Sequence, residues 1–413
     1  MSVVAQVEAG AKVQANARRW FILALGLAAQ TASCAFLYGL PFLVPAMRTA
    51  DHLTLAEAGT VVAAPSIGVL LTLIGWGAAA DRYGERLIMA LGLGVSGLLL
   101  VYAAVWFHPV GLLFGLFLVA GACTASVNAA SGRVVMGWFS KSERGVAMGI
   151  RQTAQPLGVG VAAVGLPPLA AHWGFQAALL LPAGLAIVVA SLVALFVLDP
   201  PRPPRPAAGV EKPPSPYRKP WLWRVHGASA LLVVPQFAVS AFAPVYLVSQ
   251  HQWTPAQAGV FVAVAQVLGA LGRLASGWWS DRVGSRLGPM RQLAFASCAV
   301  MLLVALGDVT WLWLVLAALV LAAVVTVADN GLGFTASAEL AGAAWSGRAM
   351  GAQNTAQNIA ASLTPPLLGL VIGDSRYALA FVLAAIFPAL AITVVPVRAE
   401  PAPAPAPPDR TAP

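Results

Sequence analysis

The sequence predicts an all-α membrane protein, twelve transmembrane helices arranged as two parallel six-helix repeats. Three observations predict it: a composition suited to lipid, twelve apolar runs long enough to cross a bilayer, and an internal repeat with an offset of about 200 residues.

Of the 413 residues, 59% are hydrophobic and 9% charged, whereas a soluble domain carries roughly 25% charged residues. A soluble protein of this size would lack the charge to cover its surface, and a mean hydropathy of +0.80 agrees. So apolar a chain is also not a disordered one. The net charge of +9 raises nucleic-acid binding, but the basic residues stand in short clusters between apolar runs, the pattern of cytoplasmic loops. The expected partners are therefore the bilayer and a small molecule, not nucleic acid. Cys34, Cys123 and Cys298 are widely spaced inside apolar runs, so neither a disulfide framework nor a metal site is expected.

A bilayer core takes about 20 mostly apolar residues per helix. Runs of that kind cover 20–47, 57–80, 86–106, 109–136, 144–170, 174–198, 221–249, 256–279, 289–307, 311–335, 347–372 and 376–397. The first is followed by eleven more and reads as a spanning helix, not a cleaved leader. Pro41, Pro65, Pro156, Pro244 and Pro365 would break soluble helices, but membrane bundles tolerate them.

With the N-terminus inside, nearly all Lys and Arg fall on one side, from Arg18 and Arg19 through Lys141 and Arg218 to Arg398; the other side receives Arg48 and Arg376. That asymmetry predicts a multi-pass protein of the cytoplasmic membrane with both termini cytoplasmic. The segment 199–220 holds nine prolines and five Lys or Arg and reads as an extended linker between halves 1–198 and 221–398. The Pro/Ala tail, 399–413, is expected to be disordered.

The repeat is explicit. Gly77-Ala-Ala-Ala-Asp81-Arg82-Tyr-Gly84-Glu-Arg86 returns as Gly277-Trp-Trp-Ser-Asp281-Arg282-Val-Gly284-Ser-Arg286. Upstream, Thr54, Ala58 and Gly59 recur as Thr254, Ala258 and Gly259. Ala147-Met-Gly-Ile-Arg151-Gln152-Thr-Ala-Gln155 recurs as Ala349-Met-Gly-Ala-Gln353-Asn354-Thr-Ala-Gln357. Six helices separate equivalent points, an even number, so the two halves share one orientation.

Twelve helices in two parallel halves, with G-x-x-x-D-R-x-G-x-R between the second and third helices of each, resemble the major facilitator superfamily. The resemblance covers nearly the whole chain. It implies a secondary transporter, not an enzyme, working by alternating access as a monomer and without a cofactor. It also implies a cytoplasmic gate at the doubled motif: Gly77, Asp81, Arg82, Gly84 and Arg86 with Gly277, Asp281, Arg282, Gly284 and Arg286. Arg144 and Arg348, at the starts of helices 5 and 11, are the candidate partners of the two aspartates. Two family motifs are incomplete: Phe117 stands where an arginine often precedes Gly121, and Gln155-Pro156-Leu-Gly158-Val-Gly160 matches the antiporter pattern only in part. This weakens the alternative reading, a proton-coupled drug or metabolite exporter. A transporter-like sensor would carry a signalling domain, and none is legible.

Charges at bilayer depth are functional candidates by default. Arg151, Arg273 and Asp329 lie about eight residues from their helix ends, roughly 12 Å deep at 1.5 Å per residue. Gly272-Arg273-Leu-Ala-Ser-Gly277 resembles the eighth-helix arginine of monocarboxylate and oxalate transporters, which implies carboxylate binding. The alternative is an ion pair of either arginine with Asp329 that locks the halves. Two arginines against one aspartate favour a small organic anion as substrate, with Asp329 the candidate for proton coupling. Gln30, Tyr38, Asn128, Gln155, Asn330, Asn354 and Gln357 complete the expected binding site. Arg133, near a helix end, reads as a snorkelling structural residue, and His226 as an interfacial one.

Overall fold

The structure is a computed structural model that describes residues 3–51, 54–106, 109–200, 215–373 and 375–400. Most of the expected linker and the whole Pro/Ala tail from 401 lie outside the described residues.

The first half runs α1 (Val3–Leu37), a 3-10 turn at Leu40–Leu43, α2 (Val44–Asp51), α3 (Leu55–Tyr83), α4 (Glu85–Val105), α5 (Val110–Trp138), α6 (Arg144–Gln152), α7 (Ala154–Ala178) and α8 (Leu180–Phe196). The second runs α9 (Trp221–His251), α10 (Pro255–Val283), α11 (Leu287–Thr310), α12 (Leu312–Ala328), α13 (Asn330–Ala341), α14 (Ser346–Ile372) and α15 (Tyr377–Val394). These helices make the twelve expected spans. The first is α1 with α2, the fifth α6 with most of α7, and the tenth α12 with α13. Gly174, at φ +84°, breaks the helical path inside α7 and turns the chain from the fifth span to the sixth, a conformation glycine adopts without steric cost.

Ten described helices are long and apolar enough to cross a membrane by composition alone, and α8 is a shorter apolar helix. The 27-residue α14 is not among them, because Gln353, Asn354, Gln357 and Asn358 dilute its apolar content. Its polarity belongs to the interior of the bundle, where Gln353 is fully buried.

The repeat is visible in local chemistry. Thr54 caps α3 through a reciprocal capping box with Glu57, and Thr254 caps α10 in the same way with Gln257. Each box satisfies two orphan amides at a helix start. The apolar cores also divide. Two clusters draw only on residues from Ile22 to Val197, and two others only on residues from Val225 to Val395. A smaller cluster joins the halves, with Phe334, Ala338 and Met350 packed against Leu23, Val135, Phe139, Ala147 and Met148.

Candidate functional site

The two halves meet most closely at the end of the bundle that carries the doubled motif, the basic end. There α3 crosses α14 and α10 crosses α6. A Cβ on Gly277 would lie 2.2 Å from the carbonyl oxygen of Gly145, and one on Gly77 would lie 2.4 Å from that of Gly347. One turn deeper, a Cβ on Gly149 would lie 2.7 Å from the Arg273 carbonyl, and one on Gly351 2.8 Å from that of Leu73. Each crossing is thus a G-x-x-x-G face, Gly145 with Gly149 and Gly347 with Gly351, set against the opposite half.

The motif aspartates cap helices across these crossings. Asp81 accepts the Gly347 amide at 3.0 Å and the Arg348 amide at 3.2 Å. Asp281 accepts the Gly145 and Val146 amides, each at 2.8 Å. A carboxylate facing the first free amides of α14 or α6 complements the helix dipole, on the order of 1 kcal/mol per contact.

Charge balance behind the two aspartates differs. Arg133 joins Asp81 and Glu85, reaching the Glu85 carboxylate at 2.5 Å. It is buried in the closure, not snorkelling as the sequence suggested, because two carboxylates converge on it from α3 and α4. Arg348 adds a contact to Asp81 at 3.9 Å. Asp281 instead pairs with its own motif's Arg286 at 2.6 Å, and Arg286 reaches across to the Lys141 carbonyl. Arg144 turns from Asp281 to Glu339 at 3.3 Å and to the Met136 and Phe139 carbonyls. Arg82 and Arg282 lie over the rings of Tyr83 and Trp278. The motif loops are held from behind: Asp199 accepts the Arg86 amide at 2.8 Å, and Glu400 accepts the Arg286 and Leu287 amides. Gly84 (φ +106°) and Gly284 (φ +71°) supply the positive φ at these turns.

Beyond this closure lies a cavity of about 90 Å³. Gln30, Tyr38, Asn128, Arg151, Gln155, Arg273, Asn330, Asn354 and Gln357, expected from sequence to form one site, all line it. So do Cys34, Gln152, Gln236, Phe237 and Phe334. Each half contributes the same polar pair. Gln30 donates to Asn128 at 2.6 Å, and Asn330 donates to Gln236 at 3.0 Å.

The two arginines stand differently. Arg151 is held by neutral groups: it donates to the Ser131 hydroxyl at 2.8 Å, to Gln152 at 2.9 Å and to the Asn128 carbonyl at 2.9 Å, and lies over Phe334. Arg273 is 3% exposed, and its Nε and Nη1 have no hydrogen-bond partner. Asp329, at the break between α12 and α13, is 2% exposed with Oδ2 unpartnered. It does not line the cavity, although Arg273 is within Coulombic reach of it. Among the described residues no ion pair joins Asp329 to either arginine, so the locking alternative has no contact behind it. Ser276 fixes α10 beside this break by donating to the Ala328 carbonyl at 2.6 Å.

His226 is buried, not interfacial. Its Nδ1 lies 2.5 Å from Gln353, the repeat equivalent of Arg151, and its Nε2 lies 3.1 Å from the Tyr217 hydroxyl. Its place near the start of α9 suggested the interface, and its partner 127 residues away carries no local signal.

A two-repeat helical bundle, closed at one end over a polar central cavity, defines a secondary transporter. The chain belongs to the Major Facilitator Superfamily, whose model matches residues 26–365. A Mycobacterium tuberculosis (strain H37Rv) protein described as an uncharacterised transporter of this type is 43% identical, over 93% of this chain and 86% of its own length. A probable galactarate/D-glucarate transporter of Bacillus subtilis is 25% identical over 84% of this chain and 88% of its own. The Escherichia coli fucose:proton symporter superposes with a TM-score of 0.72 at 16% identity, covering 92% of this chain and 98% of the symporter. The last likeness concerns the fold alone.

Proposed function

We propose that the chain moves a small organic anion, a carboxylate, across the cytoplasmic membrane by alternating access. The observation that carries this reading is Arg273, a buried guanidinium at the cavity wall with two nitrogens lacking partners. Leaving buried donors without acceptors costs on the order of 1–3 kcal/mol each, and a carboxylate arriving in the cavity would relieve that cost. A guanidinium fork matches a carboxylate in two-point contact. Arg151, already oriented by Ser131 and Asn128, would hold the anion from the other half.

In this reading the doubled motif is the cytoplasmic gate, closed in the conformation described. Both termini are cytoplasmic, residues 199–220 link the halves, and one copy suffices. Asp329 is the coupling group: anion entry beside Arg273 changes the field at its carboxylate and hence its protonation. The galactarate/D-glucarate relative is named for an anionic substrate, which supports the charge class.

The test is counterflow with the purified protein in liposomes, across small carboxylates and organic cations. Carboxylate counterflow is expected; counterflow of cations alone would overturn the reading.

A further inference from the structure

Each helix that a motif aspartate caps begins at a residue held by the first span of its own half. Glu143, the N-cap of α6, takes two guanidinium contacts from Arg19 of α1, each at 2.7 Å. Trp345, the N-cap of α14, carries no charge, and its ring meets the ring of Tyr217 edge-on, centroids 6.4 Å apart. Tyr217 lies in the 3-10 turn Pro216–Arg218 that leads into α9. It packs, half-buried, with Leu340 and Trp345 against Leu222, Ala341 and Ala349. Its hydroxyl lies 3.1 Å from His226 Nε2. The direction of that bond is set further in. Gln353 Oε1 accepts the Ser337 hydroxyl at 3.0 Å and faces His226 Nδ1 at 2.5 Å, so Nδ1 donates and Nε2 of the neutral ring accepts from Tyr217. Trp345 in turn carries the Arg348 guanidinium over its ring, 4.7 Å from the centre, and Arg348 contacts Asp81. A chain of contacts thus runs from His226 through Tyr217, Trp345 and Arg348 to the gate aspartate of the opposite half.

We propose that Tyr217 is a positioning residue of the gate: anchored on His226, it holds Trp345 and so keeps the first amides of α14 aimed at Asp81. This rests on the gate reading above and extends it to the segment that enters the second half. Gly347 and Arg348, whose amides Asp81 accepts, stand two and three residues after Trp345, so a shift of the indole moves the cap. Amide contacts of 3.0 and 3.2 Å leave hydrogen-bond range after a displacement of about half an ångström. Without the Tyr217 hydroxyl, His226 Nε2 has lost its donor, and one buried hydrogen bond no longer ties the turn to α9.

The experiment follows thiol modification of Gln152→Cys, on the cavity wall, in the full chain freed of Cys34, Cys123 and Cys298. A charged, membrane-impermeant methanethiosulfonate is applied in turn to each face of oriented vesicles. Tyr217→Phe should speed modification from the basic end about fivefold, the scale of one buried hydrogen bond. Tyr217→Ala, which also removes the ring, should speed it at least about tenfold. Neither should speed it from the opposite face. His226→Asn, too short to reach the Tyr217 hydroxyl, should match Tyr217→Phe. His226→Gln, whose amide oxygen extends to where Nε2 stands, should stay within about twofold of the unsubstituted rate. Asp81→Ala removes the cap itself and sets the rate of an open gate. If Asp81→Ala speeds basic-end modification while both Tyr217 variants leave it unchanged, the positioning role is overturned and the gate reading stands. Faster modification from both faces reports a loosened fold and overturns the role as well. His226→Asn at the unsubstituted rate, or His226→Gln as fast as His226→Asn, overturns the anchoring through Nε2. An Asp81→Ala protein modified no faster than its parent takes the gate reading down too.

Discussion

Asp281 and Gly145 hold the two halves together: the carboxylate of one accepts the amide of the other at 2.8 Å, and the next amide, of Val146, reaches the second carboxylate oxygen at 2.8 Å. Asp81 repeats the arrangement with Gly347 and Arg348 at 3.0 and 3.2 Å. Two aspartates from one motif thus cap two helices of the opposite halves, and in the proposed cycle both caps open for the cavity to reach the basic end.

Asp281→Asn keeps one acceptor oxygen, loses the other and leaves Arg286 only its longer contact with Glu339, at 3.7 Å. Anion flux should fall about tenfold, the equivalent of about 1.4 kcal/mol, with substrate affinity within about threefold. Flux and calorimetric titration on the same preparation check this, and a large loss of affinity with flux preserved would reverse the assignment.

Gly277→Val places carbon where the Gly145 carbonyl already stands, 2.2 Å from the position of a Cβ. The protein should populate the form open at the basic end. A cysteine placed at Gln152 in a background without Cys34, Cys123 and Cys298 would report this by faster thiol modification from that end. Equal modification rates with and without the Gly277→Val substitution would show that the crossing does not set closure.

Asp329→Asn removes the carboxylate nearest in charge terms to Arg273. Exchange of anion for anion should persist, while accumulation driven by a pH gradient should be lost. Unchanged pH-driven accumulation would take Asp329 out of the mechanism.

Glu143, between α5 and α6, accepts from Ser140 at 2.7 Å and from Arg19 at two 2.7 Å contacts. The Ser140 hydroxyl first, and then Arg19, hold its carboxyl below the ordinary value, near 4.3 for Glu. A depressed folded value means the contact contributes fully above the ordinary Glu range and is lost as pH falls through the lowered value. The group is partly exposed, so the effect is small. Thermal melts should show wild type above Glu143→Gln by a constant margin from neutral pH to about 5, with the margin closing at lower pH. A margin that widens on acidification would contradict the pairing.

The spans were legible because lipid imposes a length and composition that few other environments demand. Even α14, which falls short of the composition that marks the other long spans, was read from sequence as the apolar run 347–372. The residues around the cavity were legible for a related reason: in an apolar segment each Arg, Asn or Gln needs a polar surrounding, and helical spacing puts it on one face. What stayed hidden were partners distant in sequence. Arg133 meets Glu85 48 residues earlier, and Arg286 and Leu287 meet Glu400 beyond α15. Neither pairing has a local pattern, and the repeat misleads here, since Thr335 stands where Arg133 would recur and Ser285 where Glu85 would. The G-x-x-x-G faces at Gly145 and Gly347 did carry a local signal for close helix approach.

The central claim is that Arg273 and Arg151 bind the anion between the halves, and titration of the double variant Arg273→Lys, Arg151→Gln tests it most directly. Lysine keeps the charge but not the planar fork, and glutamine reproduces the residue that Gln353 supplies in the second repeat. With wild-type yield and melting behaviour retained, carboxylate affinity should fall at least about a hundredfold, the equivalent of about 2.8 kcal/mol, and Arg273→Lys alone should account for the larger share. Undiminished carboxylate binding by the double variant would contradict the account and leave both arginines as structural residues.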